Sequence, residues 1–270
     1  MTSQLVEQLH AAAALPALSL ADVNAAASLQ TRRDRKYLVT PEVLLDVVRA
    51  LPTGGDLGVL QVDGRFEQQY RSVYFDTDDL LLYRMAATGR RRRFKVRRRT
   101  YVDDGVQMLE VKTKDPRGRT AKARTEASAA WSATVTERLS DDETFFVDHT
   151  LSAAGVWQHP PLHSLRAVVH TGYLRTTLAS PSAGWRATVD QQLIGARAGH
   201  QPQGLGCCIV VETKSSGAPT PLDRALWSRG HRPQRVSKFA VALAMSQPGL
   251  PANRWNRALR DHLDWQRDPS

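Results

Sequence analysis

Several short runs of the chain alternate apolar and charged residues, the two-residue period of a β-strand with distinct faces. The clearest is RFKVRRRTY, where Arg93, Lys95, Arg97 and Arg99 share one face and Phe94 and Val96 the other. Thr88-Gly89 before it is a turn signal, and Thr100-Tyr101 are strand formers. In MLEVKTK, Leu109 and Val111 oppose Glu110, Lys112 and Lys114. After the turn Asp115-Pro116-Arg117-Gly118, AKARTE puts Lys122, Arg124 and Glu126 on one side. WRATVD sets Arg186, Thr188 and Asp190 against Ala187 and Val189, and CIVVETK sets Glu212 and Lys214 against Val211 and Thr213. One such strand is an ordinary surface strand. Five with Arg and Lys dominant suggest a closed barrel whose polar side chains point inward.

An apolar outer face needs helices over it, and the pattern supplies them. Thr40-Pro41 starts one through VLLDVVRAL, with Thr as N-cap and Pro in the first turn. Asp76 to Asp79 open a short one through LLLYRMA, and Asp141-Asp142-Glu143 place acid at the start of another through FFVDHTL. Thr220-Pro221 begins a fourth, and Val236–Met245 and Ala252–Trp265 are two more. Leu18 to Leu29 reads as a short helix packed on the body. The predicted class is α+β. Residues 1–30 form an N-terminal helical segment, 31–246 the main domain and 247–270 a C-terminal helix. The ETK and EVK strands hint at a weak internal duplication.

Charge sharpens this picture. The 270 residues carry 37 Lys+Arg against 27 Asp+Glu, a net +10, and Arg90 to Arg99 hold eight basic residues in ten. That run alone would also suit a nucleic-acid patch. Its alternation argues otherwise: four cations along one side of a strand repel unless an anion lies between them. With 24% charged and 41% hydrophobic residues, wholesale disorder is excluded. No apolar run approaches the roughly 18 residues of a membrane span. Cys207 and Cys208 are adjacent and cannot build a disulfide framework. No Lys or Arg precedes Arg32, so the positive start of a signal peptide is missing and a cytoplasmic location is expected. The eight histidines show no ligand spacing, and there is neither a P-loop nor a dinucleotide glycine fingerprint. Tyr74, Phe75 and Trp185 read as packing residues.

Nine segments come in a telling order: RRDRKYLV, YRSVYFDT, KVRRRTY, LEVKTK, KAR, YLRTTL, WRATVD, VVETK and SKFAVAL. Together, over roughly residues 30 to 246, they resemble the VTC-type polyphosphate polymerase domain of the triphosphate tunnel (CYTH-like) superfamily. The resemblance implies an antiparallel β-barrel forming a basic tunnel with flanking helices. It implies an enzyme that moves the γ-phosphate of ATP onto a growing inorganic polyphosphate chain, with Mn²⁺ or Mg²⁺. ATP and polyphosphate are the implied partners, and nucleic acid is not expected.

Residue by residue, Lys36 matches the first-strand tunnel lysine, Arg97 and Arg99 the alternating arginine pair, and Lys112 and Lys122 the next two lysines. Tyr173 and Arg175 match the pair that contacts nucleotide phosphates, and Ser237-Lys238 the start of the late helix. Glu212 matches the metal-holding glutamate. Arg97, Arg99, Lys112 and Lys238 are thereby catalytic candidates. Lys36, Lys95, Lys122, Arg124, Tyr173, Arg175, Arg186, Lys214 and Ser237 are binding candidates. Glu212 and Glu110 are metal candidates, with a salt-bridge role as the competing reading, stronger for Glu110; Asp190 reads as structural. The residue types suit the chemistry. Arg makes planar bidentate contacts with phosphate oxygens, Lys acts as a point charge, and a helix start offers N–H groups to an anion.

One departure bears on the reaction. Triphosphatases and cyclases of the fold carry Glu-x-Glu-x-Lys on the first strand, where this chain has Arg32, Asp34 and Lys36. Exchanging an acid for a cation favours holding a polyanion over two-metal hydrolysis. A triphosphatase or polyphosphatase of the same tunnel and a non-catalytic polyphosphate-binding module are the alternatives.

Overall fold

The computed structural model describes residues 3–13, 15–25, 33–52, 55–115, 117, 119–127, 138–197, 200, 203, 204, 206, 208–247 and 249–262. In chain order the elements are α1 (Gln4–Ala13), β1 (Ala17–Leu18), α2 (Leu20–Ala25), β2 (Arg33–Val39), α3 (Pro41–Arg49), β3 (Gly58–Leu60) and β4 (Gln68–Asp76). Then come α4 (Leu81–Ala87), β5 (Arg93–Tyr101), β6 (Gln107–Lys114), β7 (Thr120–Glu126), α5 (Asp141–Ala153), β8 (Arg166–Ser180) and β9 (Trp185–Arg197). The chain continues through β10 (Gln203–Gly204), β11 (Ile209–Ser215), α6 (Pro221–Ser228), α7 (Lys238–Ser246) and α8 (Asn256–His262).

The sheet runs β2-β11-β9-β8-β4-β5-β6-β7, and every pairing along that path is antiparallel. β10 adds to β9 and β3 to β8, while β1 pairs parallel with β3. The α+β class stands, but the expected barrel is a curled half-barrel. β2 and β7 end the path, and among the described residues no ladder joins them. Lys36 on β2 and Lys122 on β7 nevertheless line one cavity, so the sheet wraps around it.

The inverted face pattern follows from what covers the outside. Phe94, Val96, Leu109 and Val111 pack outward with Val147 and Leu151 of α5, and Tyr37, Val189 and Val211 pack with Leu44, Val48 and Leu226 of α3 and α6. Arg98, whose place in the basic run the alternation left open, also points outward. It is buried, with Nε 2.7 Å and Nη2 2.5 Å from Glu143 on α5. Of the eight basic residues in the run, only Arg93, Lys95, Arg97 and Arg99 line the cavity. Asp223 of α6 is a second outer rivet, accepting from Tyr37 and Thr213 at 2.6 Å each.

Helix starts follow their signals. Thr40, Ser140, Thr220 and Ser237 each accept a backbone N–H as N-caps. Asp76 takes the N–H groups of Leu82 and Tyr83, so α4 begins at Leu81, past the acidic run. The helix expected from Leu18 to Leu29 is β1 followed by α2, and residues 26–29 lie outside the described residues. The C-terminal helix starts at Asn256 rather than Ala252, and residues 263–265 also lie outside them. No helix among the described residues is long and apolar enough to cross a membrane. Ser140 and Glu143 form a reciprocal capping box on α5. Ser140→Ala should therefore cost about 1 kcal/mol, read as a fall of about 2–4 °C in Tm.

Candidate functional site

Alternation along β2, β5, β6, β7, β8, β9 and β11 turns one face of each strand, carrying at least one Lys or Arg, into a cavity of about 1700 Å³. Among the described residues, fifteen Lys and Arg side chains line it against four Asp and Glu. At one end α7 enters the concave side, and there the inner face turns apolar: Leu38, Tyr74, Leu193 and Val210 pack against Phe239 and Val241.

Buried carboxylates position part of this charge. Glu110 on β6 receives Arg97 through Nε at 2.7 Å and Nη2 at 2.5 Å, and Lys122 at 2.5 Å, with Arg99 3.9 Å away. Asp190 on β9 takes Arg175 through Nε at 2.6 Å and Nη2 at 2.8 Å, and also Lys238. Glu212 on β11 pairs with Lys214 and lies 3.5 Å from Lys36. Burial pushes these three acids up, but the adjacent cations win: Asp190 is held at about 2, and Glu110 and Glu212 lie well below the carboxylate range. Rings add a second support. Tyr70 and Tyr173 stack with centroids 5.4 Å apart, Arg175 lies 5.1 and 5.2 Å from them, and Lys238 is 4.5 Å from Tyr173.

Other cations have no such compensation. Lys112 and Arg124 have no hydrogen-bond or ion-pair partner among the described residues. Lys95 donates to Ser237 Oγ at 2.8 Å and faces the Phe239 ring, without a carboxylate. Burial, then repulsion from Lys36, Arg93 and Arg97, pulls Lys95 down to about 7. Burial and then Arg97 pull Lys112 to about 7 as well, although its side chain is exposed to the cavity. The cross-strand pairs Lys95–Lys112 and Lys112–Lys122 set like charges opposite one another.

A polyanion relieves that arrangement, and protons should report it. With folded values near 7 and an ordinary lysine value of 10.5, the unfolded chain binds more protons between those limits. The empty protein should therefore gain stability as pH rises through that window. Tripolyphosphate should recharge both lysines and take up close to two protons at pH 8. Calorimetry in buffers of different ionisation enthalpy measures this, and zero uptake would contradict it.

All fifteen candidate residues named from the sequence meet in this cavity. Several are seen in settings the alternation could not supply. Tyr74, read as packing, also accepts Arg97 Nη1 at 3.1 Å. Asp190 is the hub for Arg175 and Lys238, a link between distant segments that only folding reveals. Ser237 caps α7, but its neighbour Lys238 turns back to Asp190. Asp34 lies 3.5 Å from Lys214, and Arg32 is outside the described residues.

The donor set bears on a metal. No three His, Cys, Asp or Glu side chains converge among the described residues. Glu110 is saturated by cations with no exposed side-chain surface, which fits the salt-bridge reading rather than a metal ligand. Glu212 keeps an accessible edge, so it fits as a single carboxylate ligand whose metal would draw its other oxygens from phosphate.

The sequence profile of the VTC domain matches residues 31–247. The chain belongs to the VTC domain family. The VTC domain accounts for every strand from β2 to β11 and for α3 to α7. Among solved structures, a candidate adenylate cyclase from Vibrio parahaemolyticus is 14% identical, covering 78% of this chain and 97% of its own, with a TM-score of 0.42. A protein from Pyrococcus horikoshii is 11% identical over 78% of this chain and 98% of its own, with a TM-score of 0.41. A candidate adenylyl cyclase from Hippeastrum, described as having a dominant triphosphatase activity, is 14% identical over 82% and 98%, with a TM-score of 0.40. No curated protein matches the chain.

Proposed function

We propose that this VTC domain is a polyphosphate polymerase, transferring the γ-phosphate of ATP to a growing inorganic polyphosphate chain. The observation that carries the proposal is the excess of cations over carboxylates along one cavity. A phosphate chain bears about one charge per repeat, so its ligand field must be extended and cationic, as strand-spaced Lys and Arg are.

In this reading Lys36, Lys95, Lys122, Arg124, Arg186, Lys214 and Ser237 grip the chain, and Tyr173 with Arg175 holds the ATP phosphates. Arg97, Arg99, Lys112 and Lys238 face the transferred phosphoryl group and neutralise its oxygens. A terminal oxygen of the chain attacks the γ-phosphorus. A new P–O–P bond forms, the β–γ bridge breaks, and ADP leaves with the bond's electron pair. The attacking phosphate is already largely ionised near neutral pH, so no side chain need take a proton. Mn²⁺ or Mg²⁺, held by Glu212 and phosphate oxygens, would supply further charge neutralisation. A cytoplasmic location belongs to the same reading.

The test is a product analysis with ATP and Mn²⁺. Long chains resolved on a gel support the polymerase. Free phosphate from tripolyphosphate without chain growth would make it a triphosphatase of the same fold, and tight binding without turnover a binding module.

A further inference from the structure

The turn before β5 carries charge that the tunnel does not absorb. Arg90, Arg91 and Arg92 are exposed, while Arg93 at the strand start donates to the Arg90 carbonyl at 2.6 Å. Gly89, at φ +73°, has the Arg254 guanidinium packed where a Cβ would stand, which brings the loop before α8 against this turn. Arg254 and Arg235 both press electrostatically on Lys114, the cross-strand partner of Arg93. None of Arg90, Arg91, Arg92, Arg235 and Arg254 has a carboxylate partner among the described residues. Arg93 and Lys114 line the cavity whereas these five do not, so the cluster straddles its rim.

Like charges gathered at a mouth without compensation cost stability unless an anion crosses there. A triphosphate would not reach so far. The strands that line the tunnel are seven to nine residues long in β5–β7, roughly 25 Å at ~3.3 Å per residue. We infer that Arg90, Arg91, Arg92, Arg235 and Arg254 form an outer collar that binds the part of a long polyphosphate chain lying outside the tunnel. The inference rests on the polyphosphate reading of the tunnel and adds to it a preference for chains longer than the tunnel holds, together with the mouth such a chain crosses.

The test compares wild type with R90A/R91A/R92A, changes confined to an exposed turn, using tripolyphosphate and a chain of about 100 phosphates. The expected result is roughly tenfold weaker long-chain binding with a shallower salt dependence, and tripolyphosphate affinity within twofold of wild type. Unchanged long-chain affinity, or equal losses for both ligands, would overturn the collar while leaving the tunnel reading intact. So would a single-stranded oligonucleotide that displaces the long chain at equal charge and loses affinity by the same factor. Wild type that binds neither phosphate ligand would instead defeat the tunnel reading, and the collar with it.

Discussion

On the polymerase reading proposed above, replacing Arg99 and Lys112 together by glutamine should abolish chain synthesis while leaving the protein folded. Six tunnel cations are held close to an acid: Arg97 and Lys122 to Glu110, Arg175 and Lys238 to Asp190, Lys36 and Lys214 to Glu212. Lys112 is not, and Arg99 is held only loosely. Among the described residues Arg99 Nε has no hydrogen-bond partner, Glu110 Oε1 stands 3.9 Å from Nη1, and the guanidinium rests 5.3 Å from the Tyr70 ring. Lys112 has no polar partner among the described residues. Both are less committed to protein carboxylates than the paired cations, and a bound phosphate would restore the full charge of Lys112. Removing one such preorganised group typically costs roughly 100- to 1000-fold in rate, so the double variant should fall below detection in a chain-synthesis assay. Stability should move the other way. Without ligand, the variant loses positive charge that Arg97 and Arg99 press against at Lys112, so Tm should hold or rise. Lost synthesis with a lowered Tm would point to misfolding, and retained synthesis would remove both residues from the reaction.

The alternation that singles out these residues is legible because a strand has a period of two and cannot hide it. Arg93 to Arg99, Glu110 to Lys114 and Glu212 to Lys214 announce both the strands and the face that is lined. Thr40-Pro41 and Thr220-Pro221 announce helices for the same local reason, since the capping hydroxyl and the N–H it accepts lie three residues apart. What the sequence could not show depends on distance. Asp190 and Lys238 are 48 residues apart, and nothing in either segment says that they meet. The place of α7 inside the curl is equally non-local: Leu38, Tyr74 and Val210 share the inner face with cations yet are apolar, because a helix rather than water covers them. Closure of the sheet was also beyond reach. Edge pairing depends on how far eight strands coil, and here β2 and β7 end the path as separate edges.

Glu110→Ala should be the most destabilising single change in the tunnel. Its carboxylate is fully buried between Arg97 and Lys122, and Arg99 stands just beyond. Without it three cations face one another, and the two arginines cannot shed a proton. Breaking a buried pair from one side costs roughly 3–5 kcal/mol, a fall of roughly 6–20 °C in Tm. Two further readouts separate this from a simple cavity. Tripolyphosphate should raise the variant's Tm more than the parent's, because the anion restores the missing negative charge. Acid should narrow the difference. The folded-state value of Glu110 lies far below its ordinary 4.5, so its contribution is present above that pH and declines as pH falls below it. Thermal melts at pH 7 and pH 3 should accordingly show a large gap between parent and variant at the first and a smaller one at the second. An equal gap at both, with no extra rescue by tripolyphosphate, would mean that Glu110 contributes packing and not charge.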